Sequence, residues 1–337
     1  MFQLHGQELI LSNLNNSINE GRFHHAYLLS GASHTGKNTL ALQIAQALNC
    51  TSSEVPCMQC NQCQRIQKYE HPDVHYITTG GDEGPLHEIG IDAIRELSSL
   101  AYLKPFEGIR RVFIIKPAEK LNDHSSNALL KVLEEPPGDV VFILISSSAA
   151  DLMPTIVSRC QLFQFKKMDR AAVFSILTTN YGIDAENAEI FSRLCDGCIG
   201  WAIEASQDSS IYASLHQLLE KIVDTIEGGI ESRFHYCEEF GRIYQRDRLS
   251  AETHLRLWLS WLRDVMLIQK GVEEYVINID WKETLSKHAK SLPNDEIVRW
   301  IRQIQSTSNL VQRNINPRLA LEAVLISSPL TTQHSMQ

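Results

Sequence analysis

The sequence predicts an α/β domain, a parallel sheet with helices on both faces, followed by an all-helical remainder. Three observations carry this. Strand-like apolar runs alternate with helical stretches over residues 1 to 165. A glycine-bounded loop joins one such strand to a helix near the start. From Asp169 onward the strand signal fades. Strand–helix alternation builds βαβ units, whose crossover helices cover both faces of a parallel sheet.

The elements follow in chain order. Leu9-Ile10-Leu11, Leu14 and Ile18 recur at the spacing of a short amphipathic helix. His25-Ala26-Tyr27-Leu28-Leu29-Ser30 reads as a buried strand, and Thr39 to Leu48 as a helix. Between them stands Gly31-Ala32-Ser33-His34-Thr35-Gly36-Lys37-Asn38, a strand–loop–helix setting suited to phosphate. Glycines let backbone N–H groups turn toward an anion, the helix N-terminus adds partial positive charge, and Lys37 adds a full one. An active ATPase needs Ser or Thr after the lysine to hold magnesium; here it is Asn38.

Four of the eight cysteines, Cys50, Cys57, Cys60 and Cys63, fall in one short polar stretch. Two overlapping C-x-x-C steps and an upstream fourth thiol can surround one Zn²⁺, and four thiolates leave no open position, so the site is structural. His71 to Ile77 returns to a strand. Thr79 to Pro85 is a polar loop, and Ile91 to Leu100 a helix.

Arg111-Val112-Phe113-Ile114-Ile115 is the next buried strand. In P-loop ATPases such a strand ends in Asp, often followed by Glu, to support magnesium and polarise water. Lys116 and Pro117 stand there instead; Asp123 lies too far along, and Glu119 falls after the strand. Asn127 to Glu135 reads as a helix stopped by Pro136-Pro137. Val140 to Ile145 is a strand ending in Ser146-Ser147-Ser148, at the strand end where open α/β sheets bind ligands. A helical turn, Ser158-Arg159-Cys160, and a last strand from Gln161 to Phe165 complete the domain.

Residues 169 to about 208 read as small helices with a turn at Asp196-Gly197-Cys198-Ile199-Gly200. Cys195 and Cys198 form a lone C-x-x-C, read as turn chemistry rather than a metal site because no second pair lies near. Further on, Leu255, Trp258, Leu259, Leu262, Val265 and Met266 share one helix face directed at a core. Asn316-Pro317 opens a final helix, and Thr331 to Gln337 is a polar tail.

Composition narrows the function. With 337 residues and 43% hydrophobic content the chain can fill two or three domains. A net charge of −9 excludes a free-standing DNA-binding protein held by a basic surface. The start, Met1-Phe2-Gln3-Leu4-His5-Gly6-Gln7, lacks the basic and apolar runs of a secretory leader, and no stretch suits a membrane span. The expectation is a soluble cytoplasmic protein.

Taken together, the motifs resemble the bacterial clamp-loader subunits of DNA polymerase III, in the AAA+ class, and most of all their delta-prime type. The matches are His25-Ala26-Tyr27-Leu28, the four-cysteine insertion, His71-Pro72-Asp73, Asn127-Ala128-Leu129-Leu130-Lys131, Leu133-Glu134-Glu135-Pro136-Pro137, Ser158-Arg159-Cys160 and Asn316-Pro317-Arg318-Leu319-Ala320-Leu321-Glu322. The resemblance implies an AAA+ core over 1–166 with a zinc-binding insertion at 50–63. A helical lid over 167–209, a helical collar over 210–330 and a flexible tail over 331–337 follow. It implies assembly with gamma/tau ATPase and delta subunits into a hetero-pentamer that places a sliding clamp on primed DNA. Arg159 would then be an arginine finger reaching a neighbour's ATP.

The departures are Asn38, Lys116-Pro117, and Trp201 where the lid arginine of active subunits stands. They imply no intrinsic ATP hydrolysis and no bound Mg²⁺. Gly31, Gly36, Lys37, Asn38 and Thr39 would hold ATP or ADP weakly at most. Two other readings stay open: an active ATPase subunit in which Asn38 offers magnesium a neutral oxygen, and a zinc-bearing adaptor outside replication.

Overall fold

A computed structural model describes residues 2–79, 88–311 and 316–326. The expected polar loop lies mostly outside these residues, as does the polar tail. The chain forms two compact units. One holds everything up to Val173 together with Asp196–Trp201; the other holds Phe174–Cys195 and the chain from Ala202 on.

The first unit opens with helix α1 (Glu8–Asn19), strand β1 (Ala26–Ser30) and helix α2 (Lys37–Asn49). There follow α3 (Asn61–Gln67), β2 (Val74–Ile77), α4 (Ile91–Ala101), β3 (Arg111–Ile115) and α5 (Asp123–Glu134). The unit's sheet is completed by β4 (Val140–Ser146), α6 (Pro154–Val157) and β5 (Gln161–Gln164). Among the described residues the sheet has five strands, all parallel, in the order β2-β3-β4-β1-β5. Every residue of β1, β3 and β4 is buried. A strand covered on both faces has no polar side, which is why these runs read as continuous apolar sequence.

Strand alternation sorts the side chains onto two faces. Tyr27, Leu29, Val112, Ile114, Val141 and Ile143 meet Ile10 and Leu14 of α1 and Leu40, Ile44 and Leu48 of α2. Leu28, Phe113, Ile115, Phe142 and Leu144 meet Ile94 and Leu97 of α4 and Leu129, Val132 and Leu133 of α5. Full burial of such side chains stabilises by roughly 1.5–3 kcal/mol each. Helix α5 starts four residues before its apolar pattern suggests, because the Asn122 side chain caps it by accepting from Ser125 N.

The chain leaves this unit within α7 (Arg170–Tyr181), continues through α8 (Ala185–Leu194), and touches it again in the turn before α9 (Ile199–Gln207). Asp196 and Gly197 carry positive φ in that turn. The second unit then runs through α10 (Ser209–Glu227), α11 (Ile230–Arg246) and α12 (Arg248–Gln269). It ends with α13 (Lys282–Ser291), α14 (Asn294–Val311) and α15 (Pro317–Ile326).

Helix α12 is the axis of the second unit. Leu255, Trp258, Leu262 and Val265 are buried as the spacing predicts, while Leu259 and Met266 flank the core half-buried. Trp261 adds a second indole to the core, set edge-on to Trp281. Trp258 packs edge-on against Trp300 and donates its indole N–H to the Tyr236 hydroxyl at 3.0 Å. No helix among the described residues is long and apolar enough to cross a membrane.

Candidate phosphate loop, metal centre and surface arginine

The phosphate loop sits at the carboxyl end of β1, where Gly31 N donates to Ser146 O of β4 at 3.2 Å. Gly36 has φ +94° and caps α2, a conformation in which a β-carbon would be strained. Lys37, the first residue of α2, is buried. Its ammonium group is hydrogen-bonded to the loop's own carbonyls at Gly31 and Ala32. Burial lowers its pKa to about 8; Glu119 pulls the value back up and Lys116 pushes it down. Asn38 donates its side-chain amide to the Tyr69 hydroxyl at 3.2 Å, and Thr39 is exposed on the first turn of α2. Thus the sequence-derived loop residues gather at one place, but their polar groups are engaged with protein rather than aimed at a common anion.

Two further pieces converge there. Gly200 N donates to His34 O at 2.8 Å, and a β-carbon on Gly200 would come within 2.7 Å of that oxygen. Glycine is therefore required where the turn before Trp201 rests on the loop. At the end of β4, Ser147 donates to Glu119 through its backbone N–H at 3.1 Å and its hydroxyl at 2.7 Å. The serine run is thus tied into the fold: the Ser146 hydroxyl donates to Ser148 O at 2.8 Å. By sequence spacing Glu119 falls past the strand end. A short 3-10 turn, Ala118–Lys120, carries it back across the sheet edge to Ser147.

The four cysteines gather beyond the other end of α2. All four sulfurs lie within 4.8 Å of one another, with Cys50 and Cys60 at 4.0 Å and Cys57 and Cys63 at 3.9 Å. A tetrahedral zinc with Zn–S bonds of about 2.3 Å sets its sulfurs about 3.8 Å apart, so the donors fit that ion. Cys60 N donates to the Cys57 sulfur at 3.3 Å, a bond that favours an electron-rich thiolate. Gln46 of α2 donates to Cys63 O at 2.9 Å and so ties the module to the helix. Cys195 and Cys198 are not part of this cluster; each thiol donates to a nearby backbone carbonyl, Ser192 O and Asp196 O.

Arg159 lies between α6 and β5 with its side chain 33% exposed. Its Nη1 donates to Thr155 O at 2.9 Å and its Nη2 to the Glu134 carboxylate at 2.6 Å. The phosphate loop and Arg159 are therefore separate features of the same unit.

The His71-Pro72-Asp73 motif acquires a physical role that its residue types do not announce. Asp73 is fully buried and accepts from the backbone N–H groups of Phe106, Glu107 and Gly108 at 2.7, 2.9 and 2.8 Å, and from Arg111 at 3.2 Å. Burial alone would raise this carboxyl, but the three amides and the guanidinium outweigh it and hold the pKa at about 2. The segment leading into β3 is folded around this one side chain.

Comparison with known proteins places these features in context. Residues 6–169 match the family described as "DNA polymerase III, delta subunit", and residues 244–328 match "DNA polymerase III, delta subunit, C terminal". The chain is 26% identical over 321 residues to the DNA polymerase III subunit delta′ of Bacillus subtilis, covering 95% of both proteins. It is 29% identical to that of Haemophilus influenzae, covering 79% of this chain and 70% of the relative. It is also 36% identical over 233 residues to the DNA polymerase III subunit tau of Escherichia coli, covering 67% of this chain and 35% of that longer protein.

Proposed function

The chain belongs to the clamp-loader subunits of DNA polymerase III, and from that premise we propose that it acts as a delta-prime-type, non-hydrolysing member of the ring. In this reading its first unit is an AAA+ core that keeps the phosphate loop and has given up the chemistry. The observation that carries it is the state of Lys37, whose ammonium is satisfied by its own loop. The neighbouring groups support the same conclusion. Asn38 is engaged by Tyr69, and Lys116-Pro117 follow the strand where magnesium-supporting carboxylates would stand. Phosphoryl transfer is catalysed mostly by positioning and electrostatics, so the loss of these groups removes most of its machinery.

Arg159 is assigned as the finger that this subunit extends to ATP held by a gamma/tau neighbour. Its partial exposure and planar donor fork suit a polyphosphate. Partners in this reading are gamma/tau and delta subunits in a hetero-pentamer, the sliding clamp, and primed DNA reached through the assembly, all in the cytoplasm. Residues 167–209 would serve as the lid and 210–330 as the collar. Cys50, Cys57, Cys60 and Cys63 would hold structural zinc, which supplies cross-linking in a small insertion that has little apolar core.

The test is steady-state ATPase of this chain alone and mixed with its partner subunits, clamp and primed DNA. No turnover alone, and stimulated turnover in the mixture that Arg159→Ala lowers by roughly 10³-fold or more per finger-dependent site, is the expected result. Unchanged turnover with Arg159→Ala defeats the finger assignment. One observation favours a second reading, an active subunit: Glu119 places a carboxylate whose charge is felt at Lys37. Turnover by the chain alone that Lys37→Ala abolishes would establish that reading instead.

A further inference from the structure

The structure gives Arg159 a companion. We propose that Glu134 is a positioning residue for the Arg159 guanidinium, holding it in the orientation it presents to a neighbouring subunit's ATP. The proposal rests on the finger reading above and adds to it the residue that fixes the finger's geometry.

Glu134 is the last residue of α5, followed by Glu135 at the C-cap and then Pro136-Pro137. A helix C-terminus carries partial negative charge, which disfavours a carboxylate there. Glu134 is 52% exposed, so solvent screens much of that cost, and the cation it meets is Arg159, at 2.6 Å and from a different element. The second acceptor, Thr155 O at 2.9 Å, belongs to α6. The two guanidinium nitrogens Nη1 and Nη2 are thus held by two separate helices, which fixes the plane of the group.

Those helices form a rigid base. Leu133, beside Glu134, and Ile156, beside Thr155, are both buried in the same apolar cluster against the sheet. Their neighbours' acceptor groups therefore keep their spacing as long as the core stays packed. An arginine side chain freed of such contacts samples many rotamers, and the entropy of ordering it must then be met when the neighbour's phosphates arrive. A catalytic group misplaced by about 1 Å can lose ~10²-fold in rate. The bland alternative is an exposed ion pair with no consequence, as most are. What sets this pair apart is the second, backbone acceptor on the same guanidinium, supplied by a different element.

The experiment uses the assembled loader with clamp and primed DNA, and compares wild type, Glu134→Gln, Glu134→Asp, Arg159→Ala and the Glu134→Gln/Arg159→Ala double variant. Gel filtration checks that each variant enters the assembly, and kcat and KM for ATP are read separately. Glu134→Gln is expected to lower kcat by roughly threefold to tenfold with KM for ATP little changed. Glu134→Asp should restore part of the loss, and the double variant should be no worse than Arg159→Ala alone. A merely structural role would produce additive loss or an assembly defect, and either result overturns the proposal. Full kcat with Glu134→Gln while Arg159→Ala is defective rejects Glu134 and leaves the finger standing. Full kcat with Arg159→Ala rejects the finger reading and this inference with it.

Discussion

Replacing Asp73 with Asn should loosen the segment entering β3 without altering the shape of the side chain. Three backbone N–H groups and one guanidinium converge on the carboxylate. An amide retains one acceptor oxygen but turns an N–H₂ group toward donors, leaving N–H groups unpaired at roughly 1–3 kcal/mol each. The charge itself also matters. With the carboxyl held at about 2 against an ordinary 3.8, linkage assigns its ionisation about 2 kcal/mol of stability at neutral pH. Removing one partner of a buried pair typically costs about 3–5 kcal/mol, and Asp73→Asn is expected in that range.

The readout is hydrogen exchange at the Phe106, Glu107 and Gly108 amides, which should speed up by ~10² or more, since about 1.4 kcal/mol is tenfold. Acid supplies a second readout. A depressed carboxyl contributes stability above its unfolded pKa, and that contribution disappears as pH falls from about 3.8 toward 2. The gap between wild type and Asp73→Asn should therefore narrow across that window. Amides that exchange at wild-type rates, with a stability gap that stays flat in acid, would refute the claim that this carboxylate organises the segment.

The purified chain should carry one zinc, and Cys63→Ser or a strong chelator should release it and cost helix signal from α3; full metal occupancy in Cys63→Ser would sink the four-thiolate centre. Lys37 has a depressed folded pKa of about 8 against 10.5, so the unfolded chain binds more protons between those values. Relative to Lys37→Met, wild type should therefore gain thermal stability as pH climbs from 8 to 10.5, and a pH-independent difference would contradict the buried-ammonium picture. Trp258→Phe should destabilise by about 1–2 kcal/mol and couple to Tyr236→Phe in a double-mutant cycle; additive losses would mean that the 3.0 Å indole bond contributes nothing.

Much of the sheet domain is legible from residue order because burial on both faces forces long apolar runs, as in Val140–Ser146. The cysteine cluster is legible for a different reason: thiol spacing along the chain restricts thiol spacing in space, and Cys50 to Cys63 do converge. Legibility stops where a side chain's partner is backbone. Asp73 is recognisable as part of a motif, yet nothing in the residue types at 106–108 says that their N–H groups will seek it. Glu119 is hidden by a turn that reverses its apparent distance from the strand end. The loop residues Gly31, Gly36 and Lys37 fall at the junction of β1 and α2 as the pattern has them, but the use of Lys37 by its own loop depends on carbonyl directions that no pattern encodes. In α12, the periodicity found one face and left out Trp261, because the helix is surrounded on a wider arc than a single stripe.

The strand order has a consequence for how the molecule comes off the ribosome. Among the described residues β1 pairs with β4 and β5, so this early strand waits for these partners until Val140–Ser146 has been made. Contacts this distant in sequence form late and leave apolar strand edges waiting. The cysteine cluster and the short α3, just after α2, are by contrast built from local chain. A cysteine cluster at that point draws on none of the later strands, so its closure beside α2 does not wait for the rest of the sheet.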